Sequence, residues 1–278
     1  MYNFDKTQHM KKYVFSTALL ISAFSSIAQM KQGRVLYERQ VKMQGRLLLQ
    51  GAPENPEVAK ILSQPRIDRF ELLFGNNQSI WQKADDEMPP EELPSSGPIR
   101  ISFMGGTDDI TFVDINSGKR TDQVEVGGKK FIVEEDIKQL NWKISDETKN
   151  ILGHPCRKAT AETIGKRPRT QMINGEIKKE EVTDTTYSTA WFATDIPVFA
   201  GPMYPKQLPG LILELDLNNG RTLYKAIELT EKTEVAKIKV PQKGKKVTIQ
   251  ELQKERDALM QQMQQNFKGG NITIRGGS

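Results

Sequence analysis

Alternation of apolar and polar residues between glycine-containing turns is the feature that most restricts what this chain can fold into. It fills most of residues 30–240, and in a typical stretch Phe70, Leu72 and Phe74 share one face before a turn at Gly75-Asn76-Asn77. Side chains of a strand alternate between its two faces, so this period indicates half-buried strands connected as hairpins. The sequence therefore predicts a mainly β domain of mostly antiparallel strands over residues 30–240.

Three segments within this domain have patterns of their own. LNWKIS predicts a strand with Leu140, Trp142 and Ile144 on one face, and ILGHPCRKATAE predicts a second strand. The proline-rich acidic stretch at 83–98 predicts a long exposed loop. The stretch at 164–186 mixes both charges and predicts a solvated hairpin or loop.

The C-terminal part predicts a helix after a short linker. Residues 241–247 form a basic linker, and residues 248–267 follow with Thr248 and Glu251 at the spacing of a capping box. An apolar stripe at helical spacing makes this helix amphipathic, and methionines in such a stripe more often serve packing than metal binding. The stripe consists of Ile249, Leu252, Leu259, Met260, Met263 and Phe267. Residues 268–278 are predicted to be a flexible tail.

The N-terminus has the pattern of a secretory signal peptide. Lys11 and Lys12 precede the apolar segment YVFSTALLISAFSSIA, which ends in small residues before Gln29. We assign residues 1–29 to the signal peptide and expect the true start at Met10, because the residues before it are unlike a signal n-region. No later segment approaches the roughly 20 uncharged residues of a spanning helix. The mature chain is therefore predicted to be periplasmic or secreted, with no transmembrane segment.

The charge of the chain gives no reason to expect a nucleic-acid partner. The formal net charge is +5, and removal of residues 1–29 takes away three basic residues and one acid, which leaves +3. A nucleic-acid patch would interleave basic residues with aromatic residues, and the charged stretch at 164–186 does not. We expect no nucleic-acid partner.

The residues that carry chemistry are sparse. After residue 29 the chain has one histidine, His154, and one cysteine, Cys156. We expect His154 at a bend and Cys156 to be buried as a small hydrophobe, and we predict no metal site, cofactor or catalytic residue. Asp195, beside Trp191 and Phe192, is the best single acid/base candidate, although a carboxylate that caps a turn is the more ordinary interpretation. An enzyme is therefore the less favoured class.

The segment WFATDIP…AGP…LPGLILEL at 191–215 resembles the signature of the GLPGLI family of exported proteins of Bacteroidetes. Tyr37-Glu38, and Trp142 followed by KNILGHPCRKA at 149–159, match other parts of the family pattern. The chain departs from that pattern at His154, where a tyrosine is usual, and at Gln207, where the name motif has its first glycine. The family has no assigned activity. The resemblance implies a partner in an outer-membrane receptor system. By fold analogy, it also implies a large curved antiparallel sheet like the half-barrels of periplasmic lipoprotein carriers.

The name motif itself predicts a turn that starts a core strand. Pro209 and Gly210 at its centre predict a type II turn over 208–211 with positive φ at Gly210. Beyond the turn, Leu211 and every second residue to Leu217 are expected to face the core, with Ile212, Glu214 and Asp216 on the other side. The candidate binding residues are Trp191, Phe192, Asp195, Pro209 and Gly210.

Two functions of different classes follow from these patterns. The first is an exported, non-enzymatic periplasmic or envelope accessory protein that holds an apolar ligand or a partner segment on its curved sheet. The second is an envelope scaffolding module that docks on an outer-membrane receptor system through its C-terminal helix. An open concave face favours the first function, and a filled interior favours the second.

Overall fold

The computed structural model describes residues 30–42, 64–85, 109–173 and 176–268, and this part of the chain is mainly β with one long helix. The predicted signal peptide, the predicted tail after residue 268 and residues 86–98 of the expected loop lie outside the described residues. Within the described part, no helix is long and apolar enough to cross a membrane. The fold class is confirmed: one large open sheet, dominated by antiparallel pairs, carries a C-terminal helix.

Seven short strands come first along the described part of the chain, the long β8–β9 hairpin follows, and three more short strands and the helix come last. The strands are β1 (Gly33–Val41), β2 (Arg66–Gly75), β3 (Gln78–Lys83), β4 (Ile110–Asp114), β5 (Lys119–Val126), β6 (Lys129–Asp136), β7 (Lys143–Ile151), β8 (His154–Ile173), β9 (Glu176–Ala193), β10 (Ile212–Leu217), β11 (Thr222–Thr230) and β12 (Lys245–Lys246). A 3-10 turn spans Val235–Lys237, and helix α1 spans Ile249–Lys268.

The strands form a single twelve-stranded sheet in the order β12-β6-β5-β4-β3-β2-β1-β11-β10-β9-β8-β7. All neighbouring pairs are antiparallel except β12 with β6. The hairpin predicted around Gly75 is confirmed, because β2 pairs with β3 across Asn76 and Asn77, both with positive φ. That backbone is the one that two-residue hairpin turns require, and asparagine tolerates it well.

Two local strand predictions are wrong: one misplaces the start of a strand, and the other overlooks a hairpin turn. The strand expected over LNWKIS begins only at Lys143, so Trp142 precedes it. The strand expected over ILGHPCRKATAE contains a hairpin turn at Leu152 and Gly153, both with positive φ. The charged stretch at 164–186 is the outer part of the β8–β9 hairpin, which confirms the hairpin alternative.

The connection between β6 and β7 shows that the sheet is strongly curved. These strands lie ten positions apart in the sheet, which is about 48 Å if the sheet were flat. The seven residue steps from Asp136 to Lys143 can span at most about 25 Å. The two ends of the sheet must therefore approach each other, as in a half-barrel. A straight link between the ends of an arc lies on its concave side, so residues 137–142, here called the strap, cross the concave face.

The C-terminal helix covers one end of this face. Its capping box is confirmed, because the amide of Thr248 donates to Glu251 at 2.7 Å and the amide of Glu251 donates to Thr248 Oγ1 at 3.2 Å. Leu252 is 2% exposed and packs with Phe131 and Val133 of β6, and Leu259 is packed against the same cluster. Part of the predicted stripe is therefore used to attach α1 to its own sheet.

Candidate functional site

The best candidate site is an aromatic strip on the concave face, formed by Tyr37, Phe70, Trp81 and Tyr224. The strand registers bring these residues to one face: Tyr37 lies opposite Phe70 on β2, and Arg39, two residues further along β1, lies opposite Tyr224 on β11. Trp81 lies opposite Leu72, two residues beyond Phe70. The strip therefore runs across four neighbouring strands at the centre of the sheet.

The rings of the strip are in mutual contact. Phe70 stacks on Trp81 with centroids 5.2 Å apart and an interplanar angle of 13°. Trp81 also contacts Tyr37 at 5.2 Å and Tyr224 at 6.0 Å. Strands β3 and β11 are three strand spacings apart, about 14 Å in a flat sheet, and a ring contact across that gap agrees with a sheet that bends towards this face. Phe70 and Trp81 are only half-buried, whereas Tyr37 and Tyr224 are 0% and 6% exposed.

Charged side chains frame the accessible edge of the strip. The guanidinium of Arg39 lies 4.7 Å from the centroid of the Phe70 ring and binds Asp68 at 2.6 Å. Arg66 binds the other oxygen of Asp68 at 2.9 Å. Burial alone would raise the pKa of Asp68, but the hydrogen bonds and charges of Arg39 and Arg66 outweigh it and lower that pKa. Asp68 therefore stays ionised at neutral pH and binds both cations, of which Arg39 lies over the Phe70 ring.

One polar atom in this frame has no partner. Among the described residues, Nε of Arg39 is buried and makes no hydrogen bond. A buried donor without an acceptor costs roughly 1–3 kcal/mol. The strip therefore combines a partly exposed aromatic surface with a buried, unpaired donor beside it.

The strap and the loop at 194–211 enclose the other end of the strip. Trp142 of the strap meets Tyr204 of this loop edge-on, with centroids 5.3 Å apart. Both rings pack against the buried cluster that contains Tyr224, Leu208 and Phe192. The concave face is therefore filled over β9–β11, covered by α1 over β5 and β6, and accessible between them at Phe70 and Trp81.

Polar residues between the strip and α1 provide hydrogen bonds but no metal-binding group. Thr111 Oγ1 donates to Asp122 at 2.6 Å, and Arg120 binds the same carboxylate at 2.8 Å. Burial raises the pKa of Asp109, whose carboxylate accepts a bond from the amide of Glu125. Within the part of the chain that the structure describes, no three His, Cys, Asp or Glu residues are grouped so that they could hold a metal ion.

None of the five residues suggested by the sequence belongs to the aromatic strip. Phe192 is 2% exposed within the core cluster, whereas Trp191, half-buried, lies under Lys149, whose Nζ is 4.3 Å from its ring centroid. Asp195 accepts a hydrogen bond from His154 Nδ1 at 2.8 Å on the surface. Pro209 is exposed and Gly210 is buried. Among the described residues, neither Pro209 nor Gly210 forms a hydrogen bond or ring contact with the aromatic strip.

The predicted type II turn at 208–211 is wrong. Gly210 does not have positive φ, and the amide of Leu211 bonds to the carbonyl of Ile196 rather than to that of Leu208. Glycine is required for a different reason: a Cβ at position 210 would overlap the carbonyl oxygen of Ala193. Position 210 therefore needs glycine for close backbone approach to the end of β9.

Residues 211–217 confirm most of the predicted alternation of buried and exposed side chains, with one exception. Leu211, Leu213 and Leu215 are fully buried, but Ile212, expected on the opposite side, is also only 1% exposed. The cause is a bulge between Ile212 and Glu214, which shifts the pairing of β10 with β9. The hydroxyl of Tyr37 donates to the carbonyl of Ile212 at 2.6 Å at this point.

The single cysteine behaves as expected, and the histidine is paired. Cys156 is 0% exposed, and burial raises the pKa of its thiol to about 11. His154 begins β8 immediately after the turn, where its side chain meets Asp195. Because the thiol is buried and stays protonated at neutral pH, this neighbourhood is unsuited to nucleophilic chemistry.

The sequence interpretation missed the strip and the role of Gln207. Alternation places Phe70 and Leu72 on one face of a strand, but no local pattern shows that β1 lies between β2 and β11. Gln207, which departs from the family motif, accepts hydrogen bonds from Trp142 Nε1 at 2.8 Å and from the amide of Leu140 at 3.1 Å. Its amide nitrogen donates to the carbonyl of Lys138 at 3.1 Å. An amide side chain where the motif has a glycine is the one sequence signal that could have suggested such a contact.

The comparisons with known proteins give a partial family match and a fold match. Residues 142–214 match the model of a family described as "Protein of unknown function (Porph_ging)". This region extends from Trp142 of the strap to Glu214 of β10 and includes the loop that carries Gln207. A search of the curated proteins finds no match.

Among solved structures, the chain is similar to one described as "Structure of PNGF-II in P21 space group". The TM-score is 0.51 and the identity 10%, and the likeness covers 82% of this chain and 34% of that one. The same protein in a C2 crystal form gives a TM-score of 0.48 at 10% identity, covering 82% of this chain and 33% of the other. The chain thus spans about a third of the length of these structures, and the first likeness shows a shared β-rich fold alone.

Proposed function

We propose that this protein is an exported, non-enzymatic accessory protein of the cell envelope that holds an apolar ligand or a partner segment on its concave face. The observation that carries the proposal is the stacked pair of Phe70 and Trp81, two large rings that are only half-buried on that face. Aromatic rings provide large apolar contact areas at low cost in side-chain entropy. The guanidinium of Arg39, 4.7 Å from the centroid of the Phe70 ring, adds a positive charge at the edge of the same surface.

Membership of the GLPGLI family and export through residues 1–29 belong to the same proposal. The Porph_ging match covers the region that contains the LPGLILEL segment, which supports a relation to exported proteins of that kind. Expression with and without residues 1–29, followed by osmotic-shock fractionation, tests export. Equal amounts of both forms in the periplasmic or extracellular fraction would refute the predicted signal peptide.

The binding proposal is tested by native mass spectrometry of protein purified from its own cell envelope. Wild-type protein is expected to carry a bound molecule or peptide, and Trp81→Ala is expected to lower its occupancy by about tenfold or more, since a buried aromatic contact contributes on the order of 1.5–3 kcal/mol. Trp191→Ala is the matched control, because that half-buried indole lies under Lys149 and outside the strip.

Circular dichroism and thermal unfolding establish first that both variants are folded. If the native mass of the wild type equals that of the protein alone in several preparations, the protein is not a ligand carrier. Equal occupancy in the two variants would place the bound molecule elsewhere on the protein.

The alternative function is scaffolding on an outer-membrane receptor system through α1. The filled part of the concave face, where Leu208, Tyr204 and Trp142 pack together, is the observation in its favour. Because Leu252 and Leu259 pack against the sheet, docking would use the exposed polar face of the helix. That face includes Gln253, Lys254, Gln261, Gln262 and Gln265.

Charge substitution on this face separates the two functions without exposing the core beneath α1. Lys254→Glu combined with Gln261→Glu should abolish capture of an envelope receptor if the helix docks, and should leave bound ligand unchanged. Unchanged capture of every envelope partner would refute docking through the helix.

A further inference from the structure

We propose that the strap is a gate over the concave face and that Gln207 is its latch, an inference that rests on the proposed binding function. The strap, residues 137–142, is the short connection that crosses the concave side between the two ends of the sheet. Its exposed residues include Lys138, Gln139 and Asn141, and Trp142 is the ring that it places against the cluster beneath. A movable strap would therefore expose or cover an apolar surface.

The strap is joined to the loop beneath it chiefly by side-chain hydrogen bonds. Oε1 of Gln207 accepts from the amide of Leu140 and from Trp142 Nε1, and its Nε2 donates to the carbonyl of Lys138. Gln139 Nε2 donates to the carbonyl of Lys206 at 3.2 Å. One side chain thus contacts three successive parts of the strap, so its loss would release them together.

The strap is not part of the sheet, and this makes local opening feasible. The amide of Ile137 bonds to the carbonyl of Gly118, which anchors one end, and β7 begins at Lys143, which anchors the other. Between these anchors, the strap residues have no strand partner. A segment held by few backbone bonds opens at much lower free energy than the sheet below it.

The surface that opening would uncover is continuous with the aromatic strip. Trp142 and Tyr204 pack against the cluster that includes Tyr224, and Trp81 contacts both that cluster and the neighbouring one around Tyr37. Moving Trp142 away would therefore extend the accessible aromatic surface beyond Phe70 and Trp81 towards Tyr204. A bound apolar molecule longer than the strip would require this movement.

Amide hydrogen exchange by NMR tests the latch without any ligand. The reporters are the backbone amide of Leu140 and the indole N–H of Trp142, both of which donate to Gln207. One net hydrogen bond corresponds to about a fivefold change in an opening equilibrium, so the loss of three in Gln207→Ala should accelerate exchange at both sites by about 100-fold. Gln207→Glu retains the two acceptor contacts and should raise the exchange rate at both sites by only about fivefold.

Gln139→Ala is the matched control, because it removes one bond between the same two segments without touching Gln207. In Gln139→Ala the exchange rate of the Leu140 amide is expected to rise by about fivefold or less. Unchanged exchange at Leu140 and Trp142 in folded Gln207→Ala would overturn the latch.

Stopped-flow binding of 1-anilinonaphthalene-8-sulfonate tests the gate. Its association rate should rise in the order wild type, Gln207→Glu, Gln207→Ala, in parallel with exchange at Leu140. Faster exchange with an unchanged association rate would overturn the gate. A wild-type protein that binds neither this probe nor any envelope molecule, yet shows the expected exchange, would refute the proposed function and leave the latch standing.

Discussion

The substitution Tyr37→Phe tests the contact that connects the strip to the bulge in β10. Tyr37 is 0% exposed, and its hydroxyl donates to the carbonyl of Ile212 at 2.6 Å. Burial raises the pKa of this hydroxyl far above its usual value, so it remains a donor throughout the accessible pH range. Phenylalanine retains the ring and its contact with Trp81 at 5.2 Å, so the substitution removes the hydrogen bond and creates no large cavity.

The magnitude follows from the burial of both partners. Ile212 is 1% exposed, so its carbonyl cannot replace the lost bond with bulk water. An unsatisfied buried acceptor costs about 1–3 kcal/mol. In a domain of this size 1 kcal/mol corresponds to about 2–4 °C in Tm, so a loss near 2 kcal/mol would lower Tm by about 4–8 °C.

Urea unfolding followed by circular dichroism and tryptophan fluorescence measures this loss. Tyr187→Phe is the control, since Tyr187 is 47% exposed and its substitution should change the free energy of unfolding by no more than about 0.5 kcal/mol. If Tyr37→Phe and Tyr187→Phe unfold at the same urea concentration, the Ile212 carbonyl does not depend on Tyr37 and the cost assigned to the lost hydrogen bond is wrong.

Three further predictions concern the helix, the charged frame and the thiol. Leu252→Ala should destabilise α1 by about 2–4 kcal/mol and accelerate amide exchange along it, whereas Ile249→Ala, at a site 40% exposed, should stay within about 0.5 kcal/mol of wild type. Because the pKa of Asp68 is lowered in the folded protein, its stabilising effect is present above the unfolded pKa and is lost as pH falls through the folded one. Asp68→Asn should therefore lower the free energy of unfolding at pH 7 and reduce the fall of this free energy between about pH 4 and pH 2, measured by urea unfolding at several pH values. An unchanged fall would contradict this. Cys156, with a thiol pKa of about 11, should not react with Ellman's reagent at pH 8 until urea unfolds the protein, and rapid native labelling would contradict its burial.

Features set by neighbouring residues in the chain were predictable from sequence. The turn at Asn76 and Asn77 and the capping box of Thr248 and Glu251 are examples, because their hydrogen bonds join residues a few positions apart. The fold class was predictable for the same reason, since alternation is visible within each strand.

Features that join distant strands were not predictable. Alternation shows which residues share a face but not which strands are neighbours, so the placement of β1 between β2 and β11 has no local signal. The aromatic strip depends on that placement. The reason for glycine at position 210 also lies in a distant segment, the end of β9, and a turn pattern could not reveal it.

The role of Gln207 was hidden in the same way. A departure from the family motif suggested only altered backbone geometry, whereas the side chain forms three hydrogen bonds with a strap some 65–69 residues earlier in the chain.

Site-specific photocrosslinking in the producing cells tests the central claim most directly, namely that the concave face is the binding face. A benzophenone side chain in place of Lys83 lies on the strip side of β3, opposite Phe70, and one in place of Ile67 lies on the other face of the neighbouring strand β2. Both positions are exposed, Ile67 by 54%. Irradiation is expected to attach one defined ligand or partner peptide at position 83 and none at position 67. Equal labelling at both positions, or labelling at position 67 alone, would contradict binding on the concave face.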